Sequence, residues 1–169
     1  ACAVLTLEHL QNELPAHGGV VCRDLSPDSF HVDEHGYLQL LDLCRACPAE
    51  PQRTHDFVGF AHYQSPEMLS GLGHGIASDY WGLGALTYEM VTGTSPWLTG
   101  EVAKDNELAI YMRIRAHKAQ KLQFPKGLKM TKGLKNLLNS LFWPKASWRL
   151  GVGDGGDARL RGHEWFKEQ

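Results

Sequence analysis

Val20-Val21-Cys22-Arg23-Asp24-Leu25-Ser26-Pro27-Asp28-Ser29 and, ten positions on, Gln39-Leu40-Leu41-Asp42-Leu43-Cys44 are the two phrases on which the fold turns. Each carries a carboxylate, Asp24 and Asp42, eighteen positions apart. Between them Phe30-His31-Val32 and Tyr37-Leu38-Gln39-Leu40 have the composition of short strands, and Asp33-Glu34-His35-Gly36 supplies turn chemistry. A hairpin of that length holds one loop acid before it and another after it on the same edge. Two acids on one edge suit a site where one takes a proton and the other holds a metal.

The chain has 169 residues, 43% of them hydrophobic, enough for one domain with a substantial core. A net charge of −2 argues against a general nucleic-acid binder. No run approaches the ~18 apolar residues that span a bilayer, and no signal-peptide core opens the chain. Cys2, Cys22, Cys44 and Cys47 are too few and too unevenly spaced for a disulfide framework, and no Asn-x-Ser/Thr acceptor occurs. A cytoplasmic setting is expected. The start at Ala1-Cys2-Ala3, without an initiator Met and running straight into a helical pattern, reads as that of a fragment.

Leu5, Leu7, Leu10 and Leu14 give an approximate apolar stripe ending at Pro15 and Gly18-Gly19, a helix followed by a turn. Residues 42–67 lack a clean period and hold Pro48, Pro51, Gly59 and Pro66, which predicts a long loop. Ile76 to Thr92 is the most hydrophobic helix candidate, with Ser78 or Asp79 at its start and Gly93 at its end. Apolar residues on nearly every face predict burial on every side. Two more helices are expected near Glu107–Lys118 and Lys132–Phe142, the second capped by Thr131. A Gly-rich turn, Gly151 to Gly156, precedes a short end piece.

These phrases, with three further ones, resemble the landmarks of eukaryotic protein kinases, in the order of the C-terminal lobe of the AGC group. The segment around Asp24 is similar to the catalytic loop H-R-D-x-x-x-x-N, and that around Asp42 to D-F-G. Ser65-Pro66-Glu67 is similar to the A-P-E that closes the activation segment. Ser78-Asp79-Tyr80-Trp81-Gly82-Leu83-Gly84 resembles the D-x-W-x-x-G of the buried central helix. Trp148-Arg149-Leu150-Gly151, Gly155-Gly156 and His163-Glu164-Trp165-Phe166 resemble the R-L-G…G…H-x-W-F ending of cyclic-nucleotide-dependent kinases. The resemblance covers essentially the whole chain. It implies a mainly α fold with a small β-hairpin: a kinase C-terminal lobe spanning 1–169, a partial domain whose N-terminal lobe is absent. Within the family it points toward the degenerate kinase modules that end green-plant phosphatase/cyclic-nucleotide-binding/kinase fusions.

The resemblance also implies roles. Asp24 is the base or orienter of a substrate hydroxyl, and Asp42 a magnesium ligand. Asp79 ties the central helix to the catalytic loop, while Glu67 and Arg149 make a buried ion pair. Asp28 and Glu89 match positions that contact substrate arginines. Asp56 stands where AGC kinases phosphorylate a threonine, so that a permanent carboxylate facing Arg23 partly replaces a phosphate; the plainer reading of Asp56 is a solvated loop acid. Protein Ser/Thr is the implied substrate, with ATP and magnesium as cofactors if the complete domain is competent.

Several positions depart from the family pattern. The catalytic-loop Lys is Ser26, the metal-binding Asn is Ser29, and the D-F-G glycine is Cys44. The H-R-D histidine is Cys22, and the threonine beside the catalytic Asp is Phe60. Losing one transition-state donor costs ~10²–10³ in rate. Ser29 nonetheless keeps an oxygen for a metal, and Leu43 and Cys22 are apolar enough to stack in an internal column. No Gly-rich loop and no V-A-I-K lysine occur, so this chain alone is expected to transfer no phosphate.

A scaffold or regulatory protein-binding module is the first rival. From Arg113 to Lys135 there are eight Lys/Arg and no acid, a segment suited to an acidic partner or simply to solvent. A zinc site is the second, since Cys44-x-x-Cys47 has zinc-like spacing with His55 and His62 downstream.

Overall fold

The computed structural model describes residues 2–12, 19–49 and 53–167. The predicted positions Leu14, Pro15, Gly18 and Pro51 lie outside them. Helix α1 (Cys2–Asn12) is followed by strand β1 (Val20–Val21) and the hairpin β2 (Phe30–Val32) and β3 (Leu38–Leu40). The hairpin is antiparallel with Phe30 opposite Leu40 and Val32 opposite Leu38, the register that the Asp33–Gly36 turn dictates. Asp33 fixes that turn by accepting from the backbone N–H of His35 and Tyr37.

The stretch predicted as one long loop is partly ordered. Strand β4 (Cys47–Pro48) pairs antiparallel with β1, and Thr54 and His74 form an isolated bridge. Helix α2 (Pro66–Ser70) follows, with Pro at its first turn and Gly71 closing it at φ 64°. Elements of two to five residues carry no measurable period, which is why the sequence shows none of them.

Helix α3 (Ala77–Thr92) is the axis of the molecule. Ser78 through Leu86 are all buried, whereas Met90 near its end is 75% exposed, so burial is complete only over the first turns. Ile76 occupies the cap, so Ser78 and Asp79 lie inside the first turn. Two apolar clusters flank the axis. One gathers Trp81, Ala85, Tyr88, Trp97, Ile110, Ile114 and Phe142; the other gathers Leu7, Leu10, Leu25, Tyr80, Leu83, Leu137 and Leu160. In α1 the buried stripe is Val4, Leu7 and Leu10, and Leu5 faces solvent.

Helix α4 (Glu107–Ala116) is capped by Asn106, whose Oδ1 accepts from the Ala109 N–H. Helix α5 (Lys132–Leu141) is capped by Thr131 in the same way through Leu134. A Cβ at Gly84 would lie 3.1 Å from the Leu141 Cβ, so glycine there permits close packing of α3 on α5. Helices α6 (Gly156–Arg161) and α7 (Glu164–Lys167) close the chain. The architecture is mainly helical with a small hairpin, as the sequence predicts.

Candidate functional site: a carboxylate edge on a buried helix

The loop after β1 is held by the start of α3. Asp79, 2% exposed, accepts from the backbone N–H of Cys22 through Oδ2 and of Arg23 through Oδ1, both at 2.8 Å. Burial pushes the Asp79 carboxyl up to about 7, against the pull of those two bonds and of the Arg23 charge. Arg23 itself sits at φ 66°, a left-handed pose that non-glycine residues adopt at a cost. Burial likewise pushes the Cys22 thiol up to about 12, so that side chain is a neutral filler.

From that pose the Arg23 guanidinium reaches the segment before α2. Its Nη1 lies 3.0 Å from Asp56 Oδ2 and 3.1 Å from Thr54 Oγ1, and its Nε donates to the Arg45 carbonyl. The bond from Arg23, with help from Thr54, holds the Asp56 carboxyl below the ordinary range. Gly59 (φ 88°) passes so close to the loop that a Cβ there would sit 3.0 Å from the Arg23 carbonyl oxygen.

Asp24 forms an ion pair with Arg45, a residue to which the sequence assigns no role. Its Oδ2 accepts from Arg45 Nη1; its Oδ1 is buried without a hydrogen-bond partner among the described residues. The Arg45 guanidinium carbon stands 5.6 Å from the Phe60 ring centroid, a cation–π arrangement. Asp42 is exposed just after β3, at the same open end of the hairpin as the Asp24 loop. Its Oδ1 accepts from the Cys44 N–H at 2.7 Å and its Oδ2 from the Cys44 thiol at 3.2 Å. Those two bonds, then the Arg45 charge, hold its carboxyl low against the opposing effect of burial.

Ser26 and Ser29 face inward. Both are buried, their hydroxyls are 3.2 Å apart, and Ser29 Oγ donates to the Asp24 carbonyl at 2.7 Å. The Ser29 hydroxyl proton is thus directed at the loop carbonyl. Leu43 is 46% exposed and Cys22 is buried. Phe60 is 45% exposed beside Asp24, and Asp28 is exposed on the Pro27–Ser29 turn. Glu89, half-buried on α3, accepts from the Tyr63 hydroxyl, whose ionisation is pushed far up by burial first and by Glu89 second.

Beside the same helix start, Arg149 Nη1 lies 2.7 Å from Glu67 Oε1 and Nη2 lies 3.0 Å from Oε2, a bidentate pair. Arg149 also donates to the Ala77 and Trp143 carbonyls and stacks 5.1 Å from the Trp81 centroid. Ser78 Oγ donates to Glu67 Oε1 at 3.0 Å.

The four positions with zinc-like spacing are not one cluster. The Cys44 thiol bonds Asp42, Cys47 lies in β4, His55 Nδ1 is 3.2 Å from the Gly71 carbonyl oxygen, and His62 packs edge-on to Tyr63. Among the described residues no group of three or more His, Cys, Asp or Glu is arranged to hold a metal ion. In the basic segment Arg113 is withdrawn from the surface, bonded to Asp105 Oδ1 and the Trp97 carbonyl at 2.7 Å each. Arg115, Lys118, Lys121, Lys126, Lys129, Lys132 and Lys135 remain exposed.

Residues 4–166 match the family model described as protein kinase domain. The chain belongs to the protein kinase domain family. It is 32% identical over 98% of its length to cGMP-dependent protein kinase, isozyme 2 forms cD5/T2, of Drosophila melanogaster. It is 34% identical over 96% to ribosomal protein S6 kinase alpha-6 of Danio rerio, and 32% over 97% to ribosomal protein S6 kinase beta of Caenorhabditis elegans. These Ser/Thr kinases are of the AGC group. The chain covers 16%, 20% and 28% of their respective lengths. No helix among the described residues of this kinase-family chain is long and apolar enough to cross a membrane.

The residues that sequence reasoning missed are those joined across the chain. Arg45, Thr54, Tyr63 and Ser78 reach Asp24, Arg23, Glu89 and Glu67 over separations of 21, 31, 26 and 11 positions. No local pattern signals such pairs.

Proposed function

We propose that this chain is the C-terminal lobe of an AGC-group Ser/Thr protein kinase homologue, a partial domain over residues 1–169, whose phosphotransfer is weak or absent. In this reading Asp24 is the acceptor for a substrate hydroxyl proton, and Asp79 orients its loop through two backbone bonds. Arg23 and Asp56 set the activation segment beside it, while Glu67 and Arg149 fasten that segment to the lobe's base. Asp28, Phe60 and Glu89 line the side from which a protein substrate approaches.

Protein kinases use ATP and magnesium, the metal neutralising the transferring phosphates. The residues present do not fit that metal. Cys44 donates to both Asp42 oxygens, the Arg45 cation pairs with Asp24 Oδ2, and Ser29 donates its hydroxyl to the loop carbonyl. No step is therefore derived through magnesium or nucleotide. The inward pairing of Ser26 and Ser29 carries the reading of weak chemistry, because the Lys and Asn they replace are the groups that would touch phosphate and metal.

The working role is then regulatory or scaffolding: a folded lobe that holds protein partners, placed in the cytoplasm. The exposed cations from Arg115 to Lys135 suit an acidic one. The degenerate modules at the end of plant and algal phosphatase/cyclic-nucleotide-binding/kinase fusions are the kin this combination suggests.

The test is magnesium-dependent ATP binding by calorimetry, on the longest chain the gene encodes and on this chain alone. Absence of binding by both is the expected result. Tight binding by the longer chain would instead make this the catalytic half of a working kinase. In that chain Ser26→Lys with Ser29→Asn should then raise peptide phosphorylation sharply.

A further inference from the structure

The misfit between the carboxylate edge and a divalent metal has a specific agent. We propose that Arg45 is the resident cation of this site: its guanidinium, seated on Phe60 and paired with Asp24, supplies from within the chain the positive charge the edge would otherwise take from a metal ion. The inference rests on the reading of Asp24 and Asp42 as the family's paired acids.

Three observations place Arg45 in that role. Its guanidinium forms the ion pair with Asp24, whose side chain is 12% exposed, and its own side chain is 39% exposed, so it covers the acid from the solvent side. The Phe60 ring, itself facing solvent beside the loop, gives the cation a face to rest on. Its backbone is fixed as well, because the Arg45 carbonyl accepts from Arg23 Nε, which is tied to Asp56. The charge also reaches Asp42, where it adds to the Cys44 bonds that keep the carboxyl ionised.

Each anion on the edge thus has its counter-charge or donors already: Arg45 for Asp24, and the Cys44 N–H and thiol for Asp42. A magnesium ion entering here meets a fixed positive charge rather than two open carboxylates. At an effective dielectric near 20, one unit charge ~4 Å away changes a divalent ion's affinity by orders of magnitude. Phe60 stands where active kinases of the family have a small hydroxyl residue, and in this chain the large ring serves as the seat.

The test is calorimetric titration of MgCl₂ into this chain, with folding of each variant checked by circular dichroism. Wild type should take up no resolvable magnesium. Arg45→Met and Arg45→Gln should each gain at least about tenfold in magnesium affinity, and Asp42→Asn in either background should abolish the gain. Arg45→Lys, which keeps the charge, should behave as wild type.

Asp42-dependent binding by wild type as tight as by Arg45→Met would overturn the proposal while favouring the kinase reading. Absence of any gain in both neutral variants would also overturn it. That result would leave the kinase reading to be judged separately, by ATP binding of the longest chain.

Discussion

Two pairs of the same chemistry, a carboxylate and an arginine, stand near the start of the central helix and differ in their surroundings. At the base, Arg149 has a side chain with no exposure and uses four of its five N–H donors, two on the oxygens of Glu67 and two on carbonyls, while its plane lies over the Trp81 ring. At the edge, Arg45 is partly solvated and makes one ion pair and one ring contact. The base pair is enclosed by protein. The edge pair is next to water, and its partners can be exchanged. Substitution at the base is therefore expected to change whether the lobe folds, and substitution at the edge to change what it binds.

The sharpest way to break this contrast is Arg149→Met. It leaves Glu67 buried without its cation, and a loss of about 3–5 kcal/mol in unfolding free energy is expected from chemical denaturation. A loss comparable to that of an exposed pair would mean the base is as replaceable as the edge. Next in size is Asp79→Ala, which strips the acceptor from two loop N–H groups. About 2–3 kcal/mol is expected, together with faster hydrogen exchange at Cys22 and Arg23 read by NMR.

Acid provides a third probe. Burial raises the Glu67 carboxyl, but Arg149 and Ser78 outweigh it and hold it below its ordinary 4.5 in the folded chain. Its stabilisation is therefore fully present above that value and is lost as pH falls through the lower folded value. Urea midpoints measured from neutral to acid pH should fall for the wild type. They should fall less steeply for Glu67→Gln, which has no such group to protonate. The smallest effect belongs to Asp56→Asn. Its partner Arg23 is well buried but Asp56 is 69% exposed, so the pair should contribute little to stability. The change should show mainly as greater salt independence of the thermal midpoint.

The difference between base and edge also separates what the sequence reveals from what it hides. The central helix, the hairpin with its Asp33 turn, and the Thr131 cap all follow from local chemistry, and each is present. Ser78 and Asp79 look like cap residues but sit within the first turn, because Asp79 is used by the loop at Cys22 rather than by its own helix end. Arg113 looks like part of a solvated basic run. Asp105, just outside the window that counts as acid-free, draws it inward.

Arg45 was the least legible. Nothing next to it in sequence says where its side chain goes. The tight turn after Asp42 and the pairing of Cys47 with Val21 together aim it across the edge. Ser26 and Ser29 were legible as replacements, but not as partners of each other. Register between a three-residue turn and a loop is a tertiary fact.

The parallel Trp81 and Trp97 rings, 5.5 Å apart and both closed to solvent, make the base optically visible. Two stacked indoles in a fixed chiral arrangement couple their transitions and give a near-ultraviolet dichroism signal that vanishes when they separate. Among the described residues the rings packed on Trp81 and Trp97 are those of His117 and Phe142, so the signal belongs to the base. One cuvette measurement thus reports the integrity of the scaffold alone, and it lets a change in ligand binding be assigned to the acids themselves.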